Sequence, residues 1–163
     1  MKLTTDFLVI GSGLAGLSYA LKVASHGKVV IVTKTSLEET NTRYAQGGIA
    51  AVTNGKDSYN KHVRDTLVAG DGLCDEETVK MVVQEAPNQI TKLIDWGTRF
   101  DKTEEGYFDL AKEGGHSEHR ILHHKDKTGH EIQRSLSKAV KKHPNIKILE
   151  YHFAIDLITQ HHM

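Results

Sequence analysis

The chain has 163 residues, 38% of them hydrophobic, and its 21 basic side chains balance its 21 acidic ones. That length can bury a core but is too short for a complete two-domain dinucleotide oxidoreductase, and the balanced charge provides no basic field to hold nucleic acid or an anionic membrane. The single cysteine, Cys74, excludes an internal disulfide framework, and no apolar run approaches the roughly 18 residues of a membrane span. A soluble, cytoplasmic protein with neither nucleic-acid nor membrane partner is expected.

The first element is a strand over residues 6–10, where Phe7-Leu8-Val9-Ile10 has the apolar, β-branched character of a buried parallel strand. Gly11-Ser12-Gly13-Leu14-Ala15-Gly16 follows at once, and residues 14–24 then take helical spacing. A bare G-x-G-x-x-G is a weak signal; between a strand and a helix it reads as a dinucleotide fingerprint. Gly11 allows the tight turn, Gly13 lets the backbone approach a pyrophosphate, and Gly16 lets the helix pack on the strand. The phosphates belong on the helix N-terminus, where unpaired N–H groups and the helix dipole favour negative charge. The second strand, Val29-Val30-Ile31-Val32, should end in an acid that holds the adenosine ribose, yet Thr33-Lys34 stands there. The fingerprint alone therefore leaves FAD, NAD and NADP open.

Residues 35–55, rich in Thr, Asn, Gln and Gly, read as a long loop, a length that usually signals function. The loop carries a second glycine signature, Tyr44-Ala45-Gln46-Gly47-Gly48-Ile49-Ala50-Ala51. Asp57-Ser58 caps a helix over 59–69, and Gly70-Asp71-Gly72 ends it. Asp75 caps a helix over 76–86 that Pro87 is expected to interrupt, with a further helix over 88–96 closed by Gly97. Residues 98–127 are polar and irregular, with Phe100, Tyr107, Phe108 and Ile121-Leu122 as points for short strands. A helix over 130–142, with Ile132, Leu136 and Val140 on one face, reads as a crossover to strands over 146–149 and 153–158. The chain stops at His161-His162-Met163 directly after that last strand, so the front part of a longer protein is expected.

Five of the eleven histidines fall between His116 and His130, but no cysteine lies nearby and no firm helix aligns them, so no metal centre is expected. Arg120 reads equally well as a contact for a substrate carboxylate and as an exposed arginine with no function. Trp96 reads as a core anchor beside a helix end.

The second glycine signature, with Asn41-Thr42-Arg43 before it, resembles the flavin-contacting loop of the succinate dehydrogenase and fumarate reductase flavoprotein superfamily, and within it looks most like the L-aspartate oxidases. The resemblance runs through Val32-Thr33-Lys34, His62-Val63-x-Asp65-Thr66-Leu67-x-Ala69-Gly70, Glu113-Gly114-Gly115-His116-Ser117, Arg120-Ile121-Leu122-His123, Asp126-x-Thr128-Gly129 and Asp156-Leu157-Ile158. It implies an α/β fold: a Rossmann-like FAD-binding domain with a parallel sheet and flanking helices, incomplete over 1–163, with substrate-capping and helical domains lying beyond. It also implies that Gly11 to Gly16 hold the FAD pyrophosphate, that Thr33 and Lys34 lie near the adenosine end, and that Asn41, Thr42, Arg43, Tyr44, Ala45, Gln46, Gly47 and Gly48 line the cofactor. Ala154 falls in the stretch whose backbone meets the adenine.

Two positions distinguish members of that superfamily. The histidine that bonds flavin covalently in the respiratory enzymes is matched here by Asn41, which implies noncovalent FAD. The aromatic residue those enzymes carry before a Gly-Gly pair is matched by Glu113, a carboxylate suited to the ammonium of an amino acid. The implied reaction is oxidation of L-aspartate to iminoaspartate, with O2 (giving H2O2) or fumarate as acceptor, in the first step of de novo NAD biosynthesis. Glu113 would recognise the substrate amino group with His116 and Ser117 near it, and contact with quinolinate synthase is a pathway expectation. The 163 residues alone are expected to lack activity. Two alternatives remain: a soluble fumarate reductase or succinate dehydrogenase flavoprotein with noncovalent FAD, and a nucleotide-binding module with no redox role.

Overall fold

The computed structural model describes residues 2–159. In chain order the elements are β1 (Phe7–Ile10), α1 (Leu14–Val23), β2 (Val29–Val32), α2 (Asn41–Tyr44), β3 (Ile49–Ala50), α3 (Tyr59–Ala69), α4 (Glu76–Asp95), β4 (Leu110–Ala111), β5 (Ile121–Leu122), α5 (Thr128–Lys142) and β6 (Ile146–Leu149). Two compact units result. One joins the first 44 residues to those from Ile132 onward, and the other is residues 45–131.

The first unit is a parallel sheet in the order β1-β2-β6, with Val9 level with Ile31 and Ile31 level with Ile148. Parallel neighbours need crossovers, and α1 and α5 provide helical ones. Leu17 and Ala20 of α1 are buried, as are Ile132, Leu136 and Val140 of α5, the fourfold stripe expected of a helix laid on a sheet. β2, paired on both sides, has Val29, Val30 and Ile31 buried. β1 departs from the fully buried strand its composition suggested. Val9 is buried while Leu8 and Ile10 are half exposed, because among the described residues β1 pairs only with β2 and its side chains alternate between faces.

The expected strand over 153–158 is absent. After β6 the chain turns at Tyr151, whose φ is +58°, and residues 152–159 have no regular structure. Among the described residues no strand pairs with this segment, and Phe153, Ile155 and Ile158 are exposed. The closing His161-His162-Met163 lies outside the described residues.

In the second unit β3-β5-β4 form a small antiparallel sheet, with Ala50 and Ala111 both level with Ile121. The stretch read as one long loop, 35–55, thus holds the short helix α2 and the strand β3, which are too brief for any periodicity to show. Ser58 caps α3 by accepting from the Lys61 N–H, and Asp75 caps α4 by accepting from the Thr78 N–H.

Pro87 does not divide α4, which runs unbroken for 20 residues. A proline removes one backbone donor from a helix but leaves the apolar stripe intact, and Val83, Ile90 and Leu93 stay buried on either side of it. The helix ends where Gly97 takes φ +95°, as the sequence led us to expect, with Trp96 half buried at that end.

Candidate functional site

In the first unit the C-terminal ends of β1 and β2 open onto a cleft of about 460 Å³, the usual ligand position in an open parallel sheet. Gly11, Ser12, Gly13, Thr33, Lys34, Asn41, Thr42 and Ala154 all line it, so eight of the residues named from sequence share one cavity. Thr35, Glu39, Thr40, His152 and Phe153 line it as well. Four of these five were missed as site residues. They sit in turns after strands, where no pattern separates lining from solvent-facing positions. Phe153 belongs with Ala154 to the stretch whose backbone the resemblance brings to the adenine.

The floor is polar and buried. Ser12 and Thr33 are 3% and 5% exposed, and their hydroxyls lie 3.0 Å apart. Gly11 turns the chain out of β1 with φ +101°, a value costly for any residue with a Cβ. A Cβ on Gly16 would collide with the Gly11 carbonyl oxygen, so glycine there sets how closely α1 rides on the turn. Leu14, Ala15 and Gly16 form the first turn of α1. That turn carries no acidic residue, and its N-cap, Gly13, has no side chain to occupy the helix amides. The Leu14 N–H meets the Thr42 hydroxyl at 3.0 Å.

Small residues, free backbone approach and a helix N-terminus suit a diphosphate. The Lys34 ammonium and the Thr33 hydroxyl add a cation and a hydrogen-bonding group at the end of β2. The chemistry of this donor set fits a dinucleotide cofactor. Arg43 and Tyr44 lie on α2 outside the lining, with the Tyr44 hydroxyl donating to Glu39 at 2.6 Å. That bond to a carboxylate raises the Tyr44 pKa.

The second unit contains Ala45, Gln46, Gly47 and Gly48. Gly48 sits hard against β5: a Cβ there would collide with the Ile121 side chain and the Leu122 carbonyl oxygen. Gly47 is open by comparison, and a Cβ on it would meet only Glu113 Oε1, at 3.5 Å. The Glu113 carboxylate therefore stands beside the second glycine pair.

The loop that carries Glu113 is tied down by the largest fully buried side chain of the chain's described residues, Arg120. The reading of Arg120 as an exposed arginine is corrected. Its Nε and Nη2 donate to the two oxygens of Asp57 at 2.7 and 2.9 Å, and its Nη1 donates to Asp65 at 2.5 Å. Asp65 Oδ2 also accepts from the Ser117 N–H and hydroxyl, each at 2.8 Å. Arg120 Nη1 lies 3.0 Å from His116 Nδ1. A guanidinium only donates, so His116 Nδ1 accepts, and the ring carries its proton on Nε2. Two acids eight residues apart around the start of a helix were the sequence signal for these partners, legible only once a buried cation was known to need them.

Burial opposes ionisation of Asp65. The Ser117 N–H, the Arg120 guanidinium and the Ser117 hydroxyl together outweigh it and hold the carboxyl at about 2. Burial likewise opposes the charge on Asp57, and its bonds to Arg120 and the Ser58 N–H bring its pKa below the usual range. Burial pushes His62 down, helped by the nearby Arg120 charge, and its ring centroid lies 5.8 Å from that of His116. His123 and His124, which sequence spacing placed in a histidine cluster, lie against Asp101 at 3.4 and 3.3 Å.

Comparison with known proteins fits this geometry. The model of the FAD binding domain family matches residues 6–162. L-aspartate oxidase 2-a, chloroplastic, of Nicotiana tabacum is 56% identical over 154 residues, covering 94% of this chain and 24% of the relative. The L-aspartate oxidase of Vibrio cholerae is 52% identical over 160 residues, covering 95% of this chain and 30% of the relative. Among solved structures, E. coli quinol fumarate reductase FrdA superposes with a TM-score of 0.88 at 30% identity, over 94% of this chain and 27% of that one. The Mycobacterium smegmatis Sdh1 complex gives 0.81 at 32%, over 90% and 27%. The chain thus spans roughly a quarter of the length of the curated relatives it matches. No helix of the described residues is long and apolar enough to cross a membrane. The chain belongs to the FAD binding domain family, with the fold of the succinate dehydrogenase and fumarate reductase flavoproteins, and its cofactor is FAD.

Proposed function

We propose that the whole protein to which this chain contributes oxidises L-aspartate to iminoaspartate, with O2 or fumarate as the final acceptor, as the opening step of de novo NAD synthesis. The observation that carries the reading is Glu113. Its carboxylate stands beside Gly47, on a loop anchored through Ser117 and His116 to a buried arginine. Among the described residues Glu113 takes no part in the ion pairs that occupy Asp57, Asp65 and Glu118. A carboxylate held in that way suits the ammonium of an amino acid, a group that succinate lacks. The names of the relatives point to the same substrate.

FAD, when bound, supplies the two-electron acceptor. The first unit's share is binding: Ser12, Gly13 and the start of α1 would hold the diphosphate, with Thr33, Lys34 and the backbone at Ala154 at the adenosine end. Asn41 carries an amide where a covalent attachment would need an imidazole, so the cofactor would be held noncovalently. In the second unit Gln46 and Gly47 offer backbone N–H groups to an acceptor, and Glu113 would orient the substrate amine. His116, with its proton on Nε2, would offer a hydrogen-bond donor rather than a base at that atom. Ser117, both of whose donors are taken by Asp65, would act by holding the loop.

The test is aspartate-dependent release of H2O2 by the whole protein, repeated with Glu113→Gln. Aspartate turnover should fall by about two orders of magnitude or more in the variant, since an isosteric amide cannot pair with the ammonium. Oxidation of succinate without oxidation of aspartate would overturn the reading in favour of a succinate dehydrogenase or fumarate reductase.

A further inference from the structure

Two walls of the nucleotide cleft come from separate parts of the chain: the glycine turn after β1 and the segment after β2. One side chain that does not line the cleft grips both. Gln133 of α5 is 1% exposed. Its Nε2 donates to the Ser12 carbonyl oxygen at 3.1 Å, to the Leu37 carbonyl oxygen at 2.9 Å and to the Ser137 hydroxyl at 3.2 Å. Its Oε1 accepts from the Thr40 hydroxyl at 2.9 Å. The amide orientation follows from chemistry, because backbone carbonyls only accept and must face the NH2 group.

We propose that Gln133 is the positioning residue of the FAD cleft. By tying the Ser12 backbone to the Leu37–Thr40 segment it sets the cleft's width before the cofactor arrives. An NH2 group has two hydrogens for three acceptors here, so the contacts to Ser12, Leu37 and Ser137 share them. Removing the amide leaves two buried carbonyl oxygens and the Thr40 hydroxyl without that partner, and both walls lose their common tether. The glycine turn depends on close backbone approach to the diphosphate, so a small displacement of Ser12 is felt directly in binding. A pre-set cleft binds tighter because less ordering is left to the binding step.

This proposal rests on the reading of the cleft as the seat of FAD. The experiment measures FAD dissociation from the whole protein, by flavin fluorescence at a temperature where every variant stays folded. Gln133→Met, near in volume but without the four polar contacts, should weaken FAD binding about tenfold or more. Thr40→Val, which removes the bond to Gln133 Oε1 and the one the same hydroxyl accepts from the Arg43 N–H, should weaken it about threefold. The effects should be less than additive in the double variant, since both act through one tether. At saturating FAD the KM for the amino-acid substrate and kcat of Gln133→Met should be unchanged. Ser137→Ala, which removes the one Gln133 contact that belongs to neither wall, should leave FAD affinity unchanged.

Unaltered FAD affinity in Gln133→Met, with only a lower melting temperature, would reduce Gln133 to core packing and overturn the proposal. If Gln133→Met does not fold, Thr40→Val decides: unaltered affinity there overturns it equally. Failure of the underlying reading looks different, because the unsubstituted protein would then bind no FAD.

Discussion

Arg120 and Asp65 meet at 2.5 Å in the interior of the second unit, with the arginine side chain wholly buried and the aspartate 14% exposed. Asp57, whose side chain is 1% exposed, completes a triad with one cation between two anions. A buried pair of this kind is most costly when one partner is removed, since the other is left charged and unpaired. Arg120→Met would strand two carboxylates facing one another, and we expect a loss of about 3–5 kcal/mol in urea unfolding of the whole protein. Asp65→Asn keeps the bidentate bond from Arg120 to Asp57 and an acceptor for Ser117, and should cost about 1–2 kcal/mol. Equal losses in the two variants would show that the triad is not organised around the arginine.

The same pair sets an acid dependence. Asp65 titrates at about 2 in the folded chain against an ordinary 3.8, so its folded pKa is depressed. Stability from this group is therefore complete above the ordinary carboxylate range and is lost as pH falls from about 5 through about 2, because the unfolded chain takes up the proton first. The amount is about 2 kcal/mol. Unfolding free energies measured across that window should fall more steeply for the unsubstituted protein than for Asp65→Asn. Parallel slopes would show that Asp65 is not depressed.

Neighbouring glycines of the second signature should behave differently. Gly48→Ala drives a methyl into the Ile121 side chain and the Leu122 carbonyl oxygen, both in the body of β5, and should cost more than about 2 kcal/mol of stability. Gly47→Ala meets only Glu113 Oε1 at an ordinary distance and should leave the melting temperature within a few degrees of the parent. Thermal unfolding of the two variants checks the contrast. A change in substrate KM confined to Gly47→Ala would then report this site, where Glu113 stands, rather than a loss of stability.

How much of this was legible in sequence depended on range. The β1-turn-α1 unit was readable because every determinant lies within about ten residues: an apolar strand, three glycines at fixed spacing and a helical stripe. The crossover into β6 was readable for the same reason, through Ile132, Leu136 and Val140. Arg120 was not, since its partners Asp57 and Asp65 are more than 50 positions away and an arginine between polar residues resembles a surface one. Gln133 was hidden likewise: a glutamine beside a buried isoleucine carries no sign that it will reach Ser12, over 100 residues earlier. The strand expected after β6 failed because alternation shows that a segment is able to pair, while pairing also needs a neighbouring edge.

Pro87 offers a prediction about a mistaken boundary. Within α4 the proline lacks the N–H that would bond to the Val83 carbonyl, and the Thr91 hydroxyl bonds back to the Pro87 carbonyl at 3.0 Å in the following turn. An interior proline costs a helix about 3 kcal/mol relative to alanine, yet α4 already accommodates the ring, so part of that cost has been relaxed away. Pro87→Ala restores one backbone bond and an unhindered turn without touching the buried stripe of Val83, Ile90 and Leu93. It also leaves the unfolded chain less constrained, which opposes the gain. The expected net effect is a stabilisation of about 1 kcal/mol, seen as a higher urea midpoint with an unchanged slope. A lower midpoint would mean that the pyrrolidine ring, itself half buried, contributes more through packing than its missing N–H takes away.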